Sequence, residues 1–157
     1  MDGRTALLSV NINGLYSLIK RKQTFSKLQK QNADITCLQE VHISKQHEDV
    51  LESPKLGKLH LALTNKKKRG VAVYIKDCLN PRQIYNDEDG RMLLIEITID
   101  QKKILLVTIY APNTNKKEFY FKLHCKIIET EQVNVCIVGD YNTVSDIEKD
   151  YKSSKKN

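Results

Sequence analysis

The chain has 157 residues, with 26 Lys and Arg against 19 Asp and Glu and a formal charge of +7 at pH 7. That length suits one globular domain with its own core, and the positive balance favours a polyanionic partner, nucleic acid first and an anionic membrane surface second. No apolar run approaches membrane-spanning length and Ala6-Leu7-Leu8 is too short for a signal-peptide core, so an intracellular chain without a membrane segment is expected. Cys37, Cys78, Cys125 and Cys136 have no Cys-x-x-Cys spacing. They read as reduced core cysteines, neither a zinc site nor a disulfide framework.

Thr5 to Val10 reads as a short strand ending in the polar turn Asn11-Ile12-Asn13-Gly14. Ser17 is a plausible N-cap, and Leu18, Phe25 and Leu28 then fall on one helical stripe while Lys20, Arg21, Lys22, Lys27 and Lys30 stay outside. Ala33 to Leu38 is a second apolar strand, ending in Gln39-Glu40. A right-handed β–α–β unit makes these strands parallel, so Asn11 and Glu40 are expected to face one another. Val41 to Lys58, broken by Pro54 and Gly57, reads as a polar surface loop.

Leu59 to Leu63 and Val71 to Ile75 form a strand pair around a basic tip, Lys66-Lys67-Lys68-Arg69. Such a run is ordinarily a solvated loop; beside an acidic site it also suits a phosphate backbone. Met92 to Ile99 and Lys103 to Ile109 read as a hairpin turned at Asp100-Gln101, leading into Tyr110-Ala111-Pro112-Asn113. A helix from about Asn115 to Glu131 follows, with Phe119, Leu123 and Ile127 inside. The apolar run from Val133 then stops at Gly139 and delivers Asp140 and Asn142 at its carboxyl end, where open α/β sheets carry their ligand-handling groups. A Gly-Asp-x-Asn turn is the bland alternative, since these are ordinary turn residues.

Strand ends thus offer Asn11, Glu40, Tyr110 with Asn113, and Asp140 with Asn142. Carboxylates and amides are hard oxygen donors that favour magnesium or manganese over zinc, and magnesium needs only one or two carboxylates, so Glu40 is sufficient in kind as principal ligand. Neutral amides and the Tyr110 hydroxyl suit hydrogen bonding to a phosphate, while Asp140 is placed to hold or deprotonate an attacking water and Asn142 to orient it. Each residue also has an ordinary structural reading: Glu40 as a loop-entry charge, Tyr110 as an interfacial ring, Asn11 as a turn former.

Four segments, Ser9-Val10-Asn11-Ile12-Asn13-Gly14-Leu15, Leu38-Gln39-Glu40-Val41-His42, Ile109-Tyr110-Ala111-Pro112-Asn113 and Gly139-Asp140-Tyr141-Asn142, resemble the successive motifs of the exonuclease–endonuclease–phosphatase superfamily. The wording Asn-Ile-Asn-Gly-Leu and Tyr-Ala-Pro-Asn is most similar to the endonuclease domain of LINE-type retrotransposon polyproteins. The resemblance implies an α/β (α+β) sandwich of two mixed β-sheets with flanking helices, over residues 1–144; the residues from 145 to 157 are polar throughout and read as a polar basic tail. It implies a metal-dependent nuclease that nicks DNA, with Mg2+ or Mn2+ and no small organic cofactor. Glu40 is then the metal ligand with Asn11 assisting, Tyr110 contacts the scissile phosphate, and Asp140 with Asn142 handles the nucleophile and transition state. Asn113, Lys66, Lys67, Lys68 and Arg69 are the accompanying candidates for phosphate and DNA.

The resemblance also implies a further aspartate and a closing Ser-Asp-His, neither of which is found among the 157 residues. None of His42, His47, His60 and His124 matches that motif, and His42 reads as a solvated loop side chain. The second sheet is therefore expected to be incomplete, with apolar edges exposed, and the activity impaired. The alternatives are an inactive retroelement remnant serving at most as a basic nucleic-acid-binding module, an exonuclease III-like or AP-endonuclease-like repair nuclease, or a small-phosphoester phosphatase. A monomer is expected, on its own or within a larger polyprotein, and nuclear if expressed.

Overall fold

A computed structural model describes residues 4–141. Two four-stranded sheets pack face to face, with a helix on the outer face of each. The first sheet holds β1 (Leu7–Asn11), β2 (Ile35–Gln39), β3 (Lys58–Ala62) and β4 (Val71–Ile75) in the order β1-β2-β4-β3. The second holds β5 (Arg82–Asn86), β6 (Met92–Ile99), β7 (Lys102–Tyr110) and β8 (Val135–Asp140) in sequence order. Both are mixed: β1 with β2 and β7 with β8 are parallel, and the other pairs antiparallel.

The near-continuous apolar runs follow from burial on both faces of each sheet. Along β4, Val71, Val73 and Ile75 point into the layer between the sheets, while Ala72 and Tyr74 join the outer cluster with Leu28 and Phe25 of α1 (Leu18–Gln31). Along β6, Leu93, Ile95 and Ile97 point inward, and Met92 and Leu94 meet Phe119 and Leu123 of α2 (Lys116–Glu129). The two-residue alternation of a strand thus supplies three apolar layers from one set of residues. Tyr74 adds an edge-to-face contact with Phe25, centroids 6.1 Å apart, and its buried hydroxyl donates to the Leu51 carbonyl.

Helix α1 begins where its cap predicts, with the Ser17 hydroxyl accepting from the Lys20 amide. The turn of β6 into β7 has Asp100 at φ 50° and Gln101 at φ 69°, the left-handed pair that a two-residue hairpin needs.

Several expectations are corrected. Leu18 is 56% exposed and does not join the α1 stripe, because it precedes the part of the helix that lies over Tyr74. The stretch from Val41 to Lys58 is no solvated loop: Val41, Ile43, Leu51 and Leu56 anchor it in the outer cluster, and a 3-10 segment spans Lys45–Leu51. Of the four free cysteines, Cys37 is buried, Cys125 half-buried, and Cys78 and Cys136 exposed. Strand β8 runs on through Gly139 to Asp140, and with no strand beyond it among the described residues, Val135 and Ile137 remain 39% and 37% exposed. Among the described residues no helix is long and apolar enough to cross a membrane.

Candidate active site

The two parallel pairs, one per sheet, end at the same rim of the sandwich. In the first sheet Asn11 is opposite Gln39, so Glu40 leaves β2 one residue beyond it; in the second, Tyr110 is opposite Asp140. The Asn11 Nδ2 donates to Glu40 Oε1 at 3.3 Å and to Asp140 Oδ2 at 2.7 Å. The amide oxygen of Asn11 is engaged by the Asn13 backbone N–H at 3.1 Å, which sets the amide's orientation. The Tyr110 hydroxyl lies close enough to the Glu40 carboxylate to help hold its charge. Asn11 and Asp140, at the ends of β1 and β8, and Glu40, just past β2, thus share one hydrogen-bonded set, with Tyr110 at the end of β7 beside it.

Backbone geometry aims Glu40 at the rim. Glu40 has φ 56° and His42 φ 58°, left-handed conformations that cost a non-glycine residue on the order of 1–3 kcal/mol each and persist when their surroundings enforce them. Here the surroundings do: Glu40 O accepts from Gly14 N at 2.7 Å, Val41 N donates to Gly70 O at 3.2 Å, and His42 N donates to Arg69 O at 2.9 Å. The double turn folds His42 back, placing its Nε2 3.2 Å from Glu40 Oε2. Gly14, at φ 94°, leaves room for that ring, since a Cβ there would lie 3.0 Å from His42 Nδ1.

Burial raises the Glu40 pKa, but hydrogen bonds from Tyr110 and Asn11 and the field of His42 more than offset this and hold it below the ordinary carboxylate value. The same contact works the other way on Tyr110, whose hydroxyl burial and the Glu40 charge push up to about 12. Glu40 is therefore the anion and Tyr110 the neutral donor of the pair at physiological pH.

Asn113 is exposed and stands outside this set. Asn142 lies outside the described residues, as does the tail from 145. In the basic loop Lys66, Lys67 and Lys68 are exposed, Lys67 with its Nζ 5.2 Å from the Tyr16 ring centroid, and Arg69 is 3.9 Å from Asp89.

Two residues near the centre escaped sequence reading. His42 is a partner of Glu40 and not a solvated side chain. Arg91 sits with its guanidinium 5.0 Å from the Tyr110 ring centroid and its Nη1 donating to the Tyr110 carbonyl at 3.0 Å. A signal for Arg91 was present: the Asp100-Gln101 turn pairs Ile99 with Lys102, and counting outward gives Met92 with Ile109 and Arg91 opposite Tyr110.

As a cation site the donor set is hard: the Glu40 and Asp140 carboxylates are joined by one amide, with no thiolate. Among the described residues no group of three His, Cys, Asp or Glu side chains converges as a closed metal cage. The Glu40 and Asp140 carboxylates suit in kind an ion such as magnesium, which takes one or two carboxylates and keeps waters elsewhere. Asn11 presents its NH2, not its oxygen, to the carboxylates, and so acts as the clamp between them.

Residues 8–148 match the Endonuclease/Exonuclease/phosphatase family, and the chain belongs to it. It is 29% identical over 168 residues to the exodeoxyribonuclease of Bacillus subtilis (strain 168), an alignment covering 96% of this chain and 63% of that protein. Among solved structures the fold is similar to the endonuclease domain of TRAS1, a telomere-specific non-LTR retrotransposon, with TM-score 0.63 and 15% identity over 88% of this chain and 59% of that one. It is also similar to the AP endonuclease LMAP from Leishmania major, with TM-score 0.60 and 19% identity over 75% of this chain and 43% of that one. TDP2 from C. elegans gives TM-score 0.62 and 21% identity over 88% of this chain and 48% of that one. The chain spans 63% of the length of the curated relative.

Proposed function

We propose that the chain carries a magnesium- or manganese-dependent phosphodiesterase domain of the retrotransposon-endonuclease type, which nicks DNA. The observation that carries this reading is the single amide of Asn11 joining Glu40 and Asp140 across the two sheets, with Tyr110 on the same carboxylate. Such a cluster of anions and neutral donors suits a phosphodiester that arrives with a divalent cation.

Glu40, kept ionised by Tyr110 and Asn11, holds the cation, with Asp140 across the rim. When bound, a divalent cation polarises a phosphoryl oxygen and stabilises the departing oxyanion. Asp140 Oδ2 takes the proton of an attacking water or fixes its direction, and Asn142 orients that water. The Tyr110 hydroxyl, neutral throughout the physiological range, donates to the scissile phosphate or to Glu40 and adds no repulsive charge. Asn113 and the Lys66 to Arg69 loop hold the flanking phosphates. The partner is DNA, the domain spans residues 1–144, and the chain acts as a monomer or within a polyprotein, in the nucleus.

The exposed Lys66, Lys67 and Lys68 beside the rim favour a second reading, a module that binds nucleic acid through its basic loop and α1 without cleaving it. Incubation of supercoiled plasmid with magnesium separates the two. Nicking that Glu40→Gln abolishes supports the nuclease; binding that ignores chelator and falls steeply with salt, without nicking, supports the module.

A further inference from the structure

Beside the rim lies an open cleft of about 190 Å³ whose lining includes Tyr16, Arg21, His42, Ser44, His47 and Lys67. His42 is the wall the cleft shares with the candidate active site, since its Nε2 contacts Glu40 while its ring faces the cleft.

Tyr16 is the notable member. Its ring is 66% exposed although it follows Leu15, which is fully buried. Its backbone is fixed: Arg21 Nη1 donates to the carbonyls of Leu15 and Tyr16 at 3.1 and 3.0 Å, and Lys20 Nζ to those of Ile12 and Asn13 at 3.0 Å each. The result is a flat aromatic surface on a rigid mount, with the Lys67 ammonium 5.2 Å from the ring centroid. Aromatic rings beside cations are the stacking platforms on which proteins hold unpaired bases.

Ser44 supplies an independent observation. It is 2% exposed and its Oγ has no hydrogen-bond partner, although the residue lines the cleft. A buried hydroxyl left unsatisfied is costly, so a ligand that draws the Ser44 side chain round into the cleft gains a hydrogen bond there.

We propose that this cleft takes one unpaired nucleotide of the DNA strand beside the scissile phosphate, its base stacked on Tyr16, its phosphate against Lys67 and a polar edge on Ser44. This rests on the nuclease reading for its substrate, and it adds a preference for locally unpaired DNA. A fully stacked duplex base has no free face to offer Tyr16, so pairing and stacking compete with the cleft.

The test uses the whole chain with chelator present, so that no cleavage intervenes, and fluorescence anisotropy of a short labelled oligothymidylate. An oligonucleotide of the same length and phosphates but lacking bases is the control. The intact strand should bind about tenfold more tightly than the baseless one. Tyr16→Ala should erase that difference and Tyr16→Phe should keep it, with the circular dichroism of both variants unchanged. Equal affinity of wild type for the two oligonucleotides, or discrimination that survives Tyr16→Ala, would overturn the proposal. Failure of magnesium-dependent nicking would remove the nuclease reading and leave this binding result standing.

Discussion

Asn11, the last residue of β1, donates a 2.7 Å hydrogen bond to Asp140, the last residue of β8, and so ties the carboxyl ends of the two sheets together. The same nitrogen reaches Glu40 at 3.3 Å. One neutral side chain therefore lets two carboxylates occupy one rim.

Replacing that clamp with a charge has a calculable consequence. Asn11→Asp sets a third carboxylate between Glu40 and Asp140, and like charges about 4 Å apart repel by about 1 kcal/mol in the water-like limit that suits this exposed rim. The variant should melt below wild type in chelator at neutral pH, and millimolar magnesium should recover most of the loss. Thermal melts of both proteins with and without magnesium check this.

Tyr110 offers a spectroscopic reading of the same cluster. Its folded pKa is raised, so its contribution to stability is fully present below the ordinary phenol value near 10 and is lost as pH rises toward about 12. The difference between the alkaline absorbance titrations of wild type and Tyr110→Phe should show one phenol ionising near the upper value. In Glu40→Gln, which removes the neighbouring charge, that midpoint should move back down.

Gly139 places Asp140. It has φ 128° and lies opposite Ile109 in the β7–β8 ladder, where an added Cβ would fall 2.1 Å from the Ile109 carbonyl oxygen. Gly139→Ala must push the two strands apart or rotate the backbone, at a cost of at least about 2 kcal/mol. Denaturant unfolding should show that loss, and it should be matched by weaker cation binding, because Asp140 follows directly.

The sequence was most legible where local chemistry and global packing agree. Ser17 marks the start of α1, the Asp100-Gln101 turn fixes a hairpin register, β4 carries an unbroken apolar run, and that of β6 is broken only at Glu96 and Thr98. It was least legible where tertiary contacts decide. Strand β5, Arg-Gln-Ile-Tyr-Asn, has little apolar alternation and pairs with β6 across a register shift between Gln83 and Tyr85. The polar composition of 41–58 hides four anchors at irregular spacing, Val41, Ile43, Leu51 and Leu56. The His42 contact with Glu40 needs two left-handed residues held by loops from elsewhere in the chain, which no local propensity announces.

Manganese binding tests the central assertion most directly, that residues from four strand ends make one divalent-cation site. Glu40 has a lowered pKa, so the site should be intact at neutral pH and lose its cation only as pH falls below the ordinary carboxylate value and through the depressed one. Electron paramagnetic resonance of free manganese should report a bound ion in the wild-type chain at neutral pH, about tenfold or more weakened in Glu40→Gln, as expected when a principal ligand loses its charge. Equal manganese affinity in wild type and Glu40→Gln would contradict the account.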